Sequence, residues 1–216
     1  MNRIQAFGVL SILALGAGAA LAQAPAGNFS FFVSSKNPGK GGDLGGLAGA
    51  DAHCQSLAAA VGAGSKTWHA YLSTDRVNAK DRIGKGPWYN VKGVEIAKDV
   101  KDLLGATNNK INGETALTEQ GKLPNYLAGN PPAPKAQPLQ HDIMTGTNDD
   151  GTATANTCRN WTSGADDVKT TLGHADRLGR NPGVNSWTNA HDSQGCSLEK
   201  LAPTGSAGLI YCFAVN

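Results

Sequence analysis

The sequence predicts a mixed α+β domain made of one good helix, several short strands and long turn-rich loops. Three observations lead there. Gly49 to Val61 carries Ala50, Cys54, Leu57, Ala58 and Val61 at the spacing of one helix face. Short aromatic and β-branched runs, Asn28 to Ser35 and Gly208 to Val215, read as strands. Glycine supplies 28 of 216 residues and only 17% are charged, so much of the chain turns rather than continuing in long helices.

Export is written at the start. Met1-Asn2-Arg3 is a short basic opening, and Ile4 to Leu21 is apolar or small and uncharged. Ala20-Leu21-Ala22 is a small-x-small cleavage site ahead of Gln23. This pattern is a cleaved secretory signal peptide over 1–22, leaving 23–216 as a single domain in the periplasm or the extracellular space. The alternative, an uncleaved anchor, has a run barely long enough to span a bilayer and diluted by Gly and Ala. No later stretch is longer, so no transmembrane anchor is expected. Loss of Arg3 leaves 18 of the 19 basic residues against 17 acidic ones. That balance excludes the concentrated basic face that nucleic acid requires and a polybasic membrane patch.

The four cysteines are Cys54, Cys158, Cys196 and Cys212. An even count behind an export signal reads as two disulfides. Three pairings are open, and the nested one, Cys54–Cys212 around Cys158–Cys196, ties the two ends of the domain together.

The elements follow in order. Asn28 to Ser35 is the first strand, and Asn37 to Gly49, with six glycines and a proline, is a loop. The helix over Gly49 to Val61 puts Cys54 on its buried face and stops at Gly62 and Gly64. Thr67 to Ser73 alternates, with Trp68, Ala70 and Leu72 on one side, and reads as a half-buried strand. Asn78 to Ile83 and Lys98 to Leu104 are short helices, and Val91 to Ile96 belongs to a small hairpin. From about 105 to 140 the asparagines and the proline-rich Asn130 to Pro138 stretch predict a long irregular surface loop. Gly164 to Asn185 is a second glycine-rich loop. Gly208 to Val215, the most apolar stretch of the mature chain, reads as a central strand ending the fold and containing Cys212.

Taken in order, these pieces resemble the C-type lectin-like superfamily. They are Leu44 to Gln55 around Cys54, Trp68-His69-Ala70-Tyr71-Leu72-Ser73, Thr145-Gly146-Thr147, Cys158-Arg159-Asn160-Trp161, Ser186-Trp187-Thr188-Asn189 and Tyr211-Cys212. The nearest likeness is to the endostatin-like branch and to secreted bacterial lectin-like domains of unknown function. The resemblance implies the nested disulfides, two helices packed on a small twisted antiparallel sheet, and a long loop region that carries ligands in the sugar-binding members.

Calcium is the candidate cofactor. The sugar-binding members of that superfamily use Glu-Pro-Asn or Gln-Pro-Asp and Trp-Asn-Asp motifs, and this chain departs from both. In their places it offers Asn148, Asp149 and Asp150, then Asn189 and Asp192, hard oxygen donors that suit Ca²⁺ if the segments converge. The plainer reading makes Asn-Asp-Asp-Gly a turn. Trp88 and Tyr89, in a Gly-Pro-Trp-Tyr-Asn loop, read either as exposed aromatics on a binding surface or as a plug on the sheet edge, whereas Trp161 and Trp187 read as core. The histidines at 53, 69, 141, 174 and 191 are dispersed. His141-Asp142 and His191-Asp192 offer metal ligands, but no pair has zinc-type spacing, and the N-terminal histidines of endostatin's zinc site have no counterpart before His53. No Gly-x-Ser-x-Gly elbow or phosphate loop occurs, and Asp166-Asp167 reads as a solvated pair.

The expectation is therefore an exported, non-catalytic binding module that recognises a glycan or an extracytoplasmic protein. A structural envelope-interaction protein without metal or sugar is the alternative, and a hydrolase of envelope polymers the third reading.

Overall fold

The computed structural model describes residues 25–104, 109–126, 138–178 and 185–216. The expected signal peptide lies outside these residues, as does most of the proline-rich stretch. The fold is mixed α+β, held by two disulfides.

Its organising element is the last strand. In chain order the elements are β1 (Phe31–Val33), α1 (Gly46–Ala60), β2 (Trp68–Ala70), β3 (Trp88–Tyr89), β4 (Glu95–Ala97) and α2 (Val100–Leu104). There follow β5 (Asp142–Met144), α3 (Cys158–Trp161), β6 (Thr171–His174), β7 (His191–Asp192), α4 (Leu198–Leu201) and β8 (Ser206–Ala214). β1 pairs antiparallel along one edge of β8, while β2 and β5 share the other edge. The sheet then runs on through β6 to β7, and β3 with β4 forms a separate hairpin.

A strand flanked on both edges and covered on both faces must be apolar throughout, as Gly-Leu-Ile-Tyr-Cys-Phe-Ala is. Two-residue alternation divides the core into two layers. Ile210 and Cys212 join Phe32, Trp68 and the buried face of α1 on one side. Leu209, Tyr211 and Phe213 join Phe31, Tyr71 and Trp187 on the other. Within β2, Trp68 and Ala70 are buried and His69 between them is partly exposed, as the alternation predicts; the chain is buried on both faces only past the strand, from Tyr71 onward.

Helix α1 buries Ala50, Cys54, Leu57 and Ala58 and ends as Gly62 enters the left-handed region. It begins three residues earlier than its apolar spacing suggests, because Gly45 and Gly46, both at positive φ, turn the chain into it. Asp51 on α1 takes the Ala70 N–H at 2.8 Å and the Arg82 guanidinium at 2.7 Å, joining helix to β2. Cys54 bridges Cys212 on β8, and Cys158 bridges Cys196, so the pairing is nested.

Four expectations are corrected. The sheet is not wholly antiparallel, since β5 runs parallel to β8. Among the described residues only α1 is a long helix, the other α-helices spanning four or five residues. β6 lies inside a stretch expected as loop, because Thr-Leu-Gly-His has too little apolar alternation to announce a strand. The described part of the 105–140 loop is not surface decoration: Ile111, Ala116 and Tyr126 are buried in the second core layer. It is irregular and yet internal, its backbone satisfied by side chains such as Asn90 and Asn112.

The turn at α3 is left-handed, with Cys158, Arg159, Asn160 and Trp161 all at φ between 49° and 66°. Such residues cost roughly 1–2 kcal/mol each. The bridge at Cys158, the Trp161 Nε1–H donated to Ser73 O at 2.7 Å and the Thr157 cap on Asn160 N hold them there. Arg159 makes only a solvent-exposed pair with Asp167, worth little. Arg159→Gly relieves the strain and adds about 0.5–1 kcal/mol of unfolded-chain entropy, so its melting temperature should match or exceed that of the parent. A drop of several degrees by calorimetry refutes this account of the turn.

Candidate functional site

Three neighbouring strands bring three of the dispersed histidines together. Asp142 on β5 pairs in register with His174 on β6. His191 on β7 sits opposite Leu172, which places it diagonally beside His174 on the same sheet face. His141 immediately precedes β5, whose pairing with β8 shifts register between Asp142 and Ile143. This irregularity lets adjacent residues 141 and 142 both reach one point.

The Asp142 carboxylate is fully buried at the centre. Its Oδ1 lies 3.1 Å from His174 Nε2 and 3.4 Å from His141 Nε2, and its Oδ2 lies 3.3 Å from His191 Nε2. His174 and His191 bring their Nε2 atoms to 3.1 Å, and the His141 and His174 rings stack at 4.7 Å. None of these nitrogens is aligned to donate to Asp142, so both of its oxygens lack a directed hydrogen bond. On the outer side, His141 Nδ1 faces Asp176 Oδ1 at 3.2 Å and His191 Nδ1 faces the Asp192 carbonyl at 3.1 Å.

Electrostatics follow the packing. Burial works against ionising Asp142, yet the close approach of His174 and His191 and the nearby charge of His141 together hold its carboxyl below the usual range. Burial lowers His141, but its contact with Asp176 and the charge of Asp142 outweigh that and raise it. His191 is raised chiefly by its contact with Asp142. The cluster is a buried anionic carboxylate ringed by imidazoles. Among the described residues it is where three histidine or acidic ligand atoms gather within 4.8 Å, in His141, Asp142 and His174.

The expected oxygen donors lie nearby but do not form one cage. Asn189 Nδ2 meets Asn148 Oδ1 at 3.3 Å. Asp149 Oδ1 accepts from Ser186 Oγ and, at 3.2 Å, from Thr188 Oγ1. Asp150 turns back onto Thr152, and Asp192 takes Asn156 Nδ2 at 2.8 Å and Thr171 Oγ1 at 3.1 Å. Thus Asn148, Asp149 and Asn189 share one surface, while Asp150 and Asp192 face elsewhere. Beneath that surface Trp187 is buried against Tyr71, whose hydroxyl has no hydrogen-bond partner and is pushed far above its usual pKa by burial and by Asp150 and Asp149.

Trp88 is a correction. It is 1% exposed, packs edge-on against Phe213 and donates its Nε1–H to Ala214 O at 3.2 Å. Its loop folds into the β3–β4 hairpin, so the indole seals the end of β8 rather than facing a ligand. Tyr89 is half-buried, with its hydroxyl 3.3 Å from Glu95. Trp161 and Trp187 are buried as expected. Of the remaining histidines, His53 is held at Lys36 O and His69 at Arg82 O.

No protein-family model matches the chain, and comparison with curated proteins finds no match.

Proposed function

We propose that the chain is an exported, non-catalytic binding module of C-type lectin-like type that recognises a glycan. The observation that carries this reading is the meeting of two loops, 147–152 and 185–189, in one polar surface. It presents two amides, a carboxylate and a hydroxyl, from Asn148, Asn189, Asp149 and Ser186, with the hydroxyl of buried Thr188 held beneath by Asp149. Amides both donate and accept while a carboxylate only accepts, the combination that neighbouring sugar hydroxyls satisfy. The groups are anchored from below by buried Trp187 and by Gly173, whose missing side chain lets the Trp187 backbone lie against β6. Two disulfides fit an oxidising compartment, and no helix among the described residues is long and apolar enough to cross a membrane.

The test is a glycan array probed with the labelled protein, once with calcium and once with chelator, followed by calorimetric titration of any glycan retained. Asp149→Ala and Asn189→Ala should each weaken binding at least about tenfold, the worth of one good polar contact, with the melting temperature unchanged. Retention that chelator abolishes assigns calcium to this surface. An empty array, with a protein partner recovered by crosslinking, supports an envelope-interaction role instead, and turnover of an envelope polymer supports a hydrolase.

A further inference from the structure

We propose that His141, Asp142, His174 and His191 form a four-coordinate zinc site. It goes beyond glycan recognition, uses other residues, and stands or falls separately.

Distance is the first argument. Around a tetrahedral zinc with ligand bonds of about 2.0–2.1 Å, neighbouring ligand atoms lie roughly 3.3–3.4 Å apart. Four contacts in the cluster run from 3.1 to 3.4 Å, with Asp142 meeting His141 and His174 through Oδ1 and His191 through Oδ2. The ligand atoms of His141, Asp142 and His174 all lie within 4.8 Å of one another, and His191 is the outer, fourth ligand that closes in on the ion. The three Asp142–imidazole approaches are not directed hydrogen bonds, since both Asp142 oxygens lack an aligned donor, while His174 and His191 meet at hydrogen-bond distance.

Proton placement is the second. His141 Nδ1 faces a carboxylate and His191 Nδ1 faces a carbonyl, and both partners only accept. Each Nδ1 therefore carries the proton, and each Nε2 turns a lone pair inward. Those lone pairs meet the lone pairs of a buried carboxylate. Such an arrangement is repulsive until a cation stands among them. Filling the space with protons instead sets imidazolium groups beside one another, His174 and His191 being only 3.1 Å apart, at the cost of buried like charge. A metal resolves both contacts with one ion. The Asp176–His141 contact then becomes the outer support that orients a ligating imidazole.

Donor type selects the metal. Three imidazole nitrogens and one carboxylate suit zinc, whereas calcium and magnesium take oxygen. The surroundings leave room: Gly205 lies where a Cβ would come within 2.8 Å of His141 Nε2 and 3.6 Å of Asp142 Oδ2. Four protein ligands complete the shell, the mark of a structural rather than a catalytic site. Its mechanical effect is to staple β7, an edge strand of two residues, to β5 and β6, beside the loop that carries Asn189.

The full chain, purified without chelator, should contain one zinc per molecule by elemental mass spectrometry. Metal-free protein titrated with Co²⁺ should develop the intense visible absorption of a tetrahedral centre, and Zn²⁺ should bleach it. His191→Ala removes the most exposed ligand and should abolish that spectrum, whereas His53→Ala should leave it intact. Asp176→Asn should weaken binding about 10–100-fold at unchanged stoichiometry. A weak octahedral spectrum, no cobalt uptake, or equal uptake by His191→Ala and the parent overturns the site. The cobalt spectrum of the unmutated chain decides the matter even if a variant misfolds.

Discussion

Replacing Cys54 and Cys212 together by alanine should lower the unfolding free energy by about 5 kcal/mol, judged from the entropy of an unfolded loop of this size. The two residues stand 158 apart in sequence, so the bridge removes more freedom from the unfolded chain than the inner bridge, separated by 38. The inner pair should be worth about 4 kcal/mol by the same reasoning. Domains of this kind are typically stable by about 5–15 kcal/mol, so the outer bridge supplies a large share. Both sulfurs are completely buried between α1 and β8, and alanine leaves a small cavity there as well. Denaturant titration of the oxidised parent and the double variant measures the difference. A loss below about 1 kcal/mol would show that the unfolded chain is already compact and that packing alone holds the ends.

The second large effect is expected from Gly173→Ala. Gly173 occupies the middle of β6, a poor place for glycine on propensity alone. A Cβ there would stand 1.9 Å from the Trp187 carbonyl oxygen and 2.2 Å from its carbon. Both obstacles are backbone, and neither can swing aside. The 185–189 segment must lift off the sheet, drawing Trp187 out from between Tyr71 and Tyr211. Overpacking of this kind typically costs about 1–3 kcal/mol, and loss of the buried indole adds to it. The melting temperature should fall by at least several degrees, and tryptophan emission should shift to the red. Because His191 follows on the same segment, cobalt binding should weaken in parallel. Unchanged emission would mean that the segment does not rest on Gly173.

Particular residues show how far the sequence could be read. Ala50, Cys54, Leu57 and Ala58 are buried on α1 as their spacing requires, since helical periodicity is a local signal of burial. The nested bridges also agree, although elimination alone left three pairings open. Trp88 misled because its Gly-Pro context marks a turn, while the depth of a turn is decided by what packs over it, here the end of β8. Segment 109–126 misled for the same reason: asparagines mark irregular backbone, and irregular backbone is internal wherever side chains satisfy it.

The histidine cluster lies at the far limit of legibility. His141 and His174 are 33 residues apart, and His191 lies 17 further on, so no short spacing announces a shared site. The hint available was two His-Asp pairs, at 141–142 and at 191–192, and only the first contributes both members.

The chain's own pattern determined which stretches are apolar enough to be buried, where helix α1 lies and which four residues can crosslink. These are properties of neighbours within a few positions, and burial follows from them directly. Only the tertiary structure decided that β5, β6 and β7 lie side by side in the register that unites Asp142 with three imidazoles. Strand register is set by long-range backbone pairing and by the close approach that one glycine permits, and neither leaves a periodic trace along the chain.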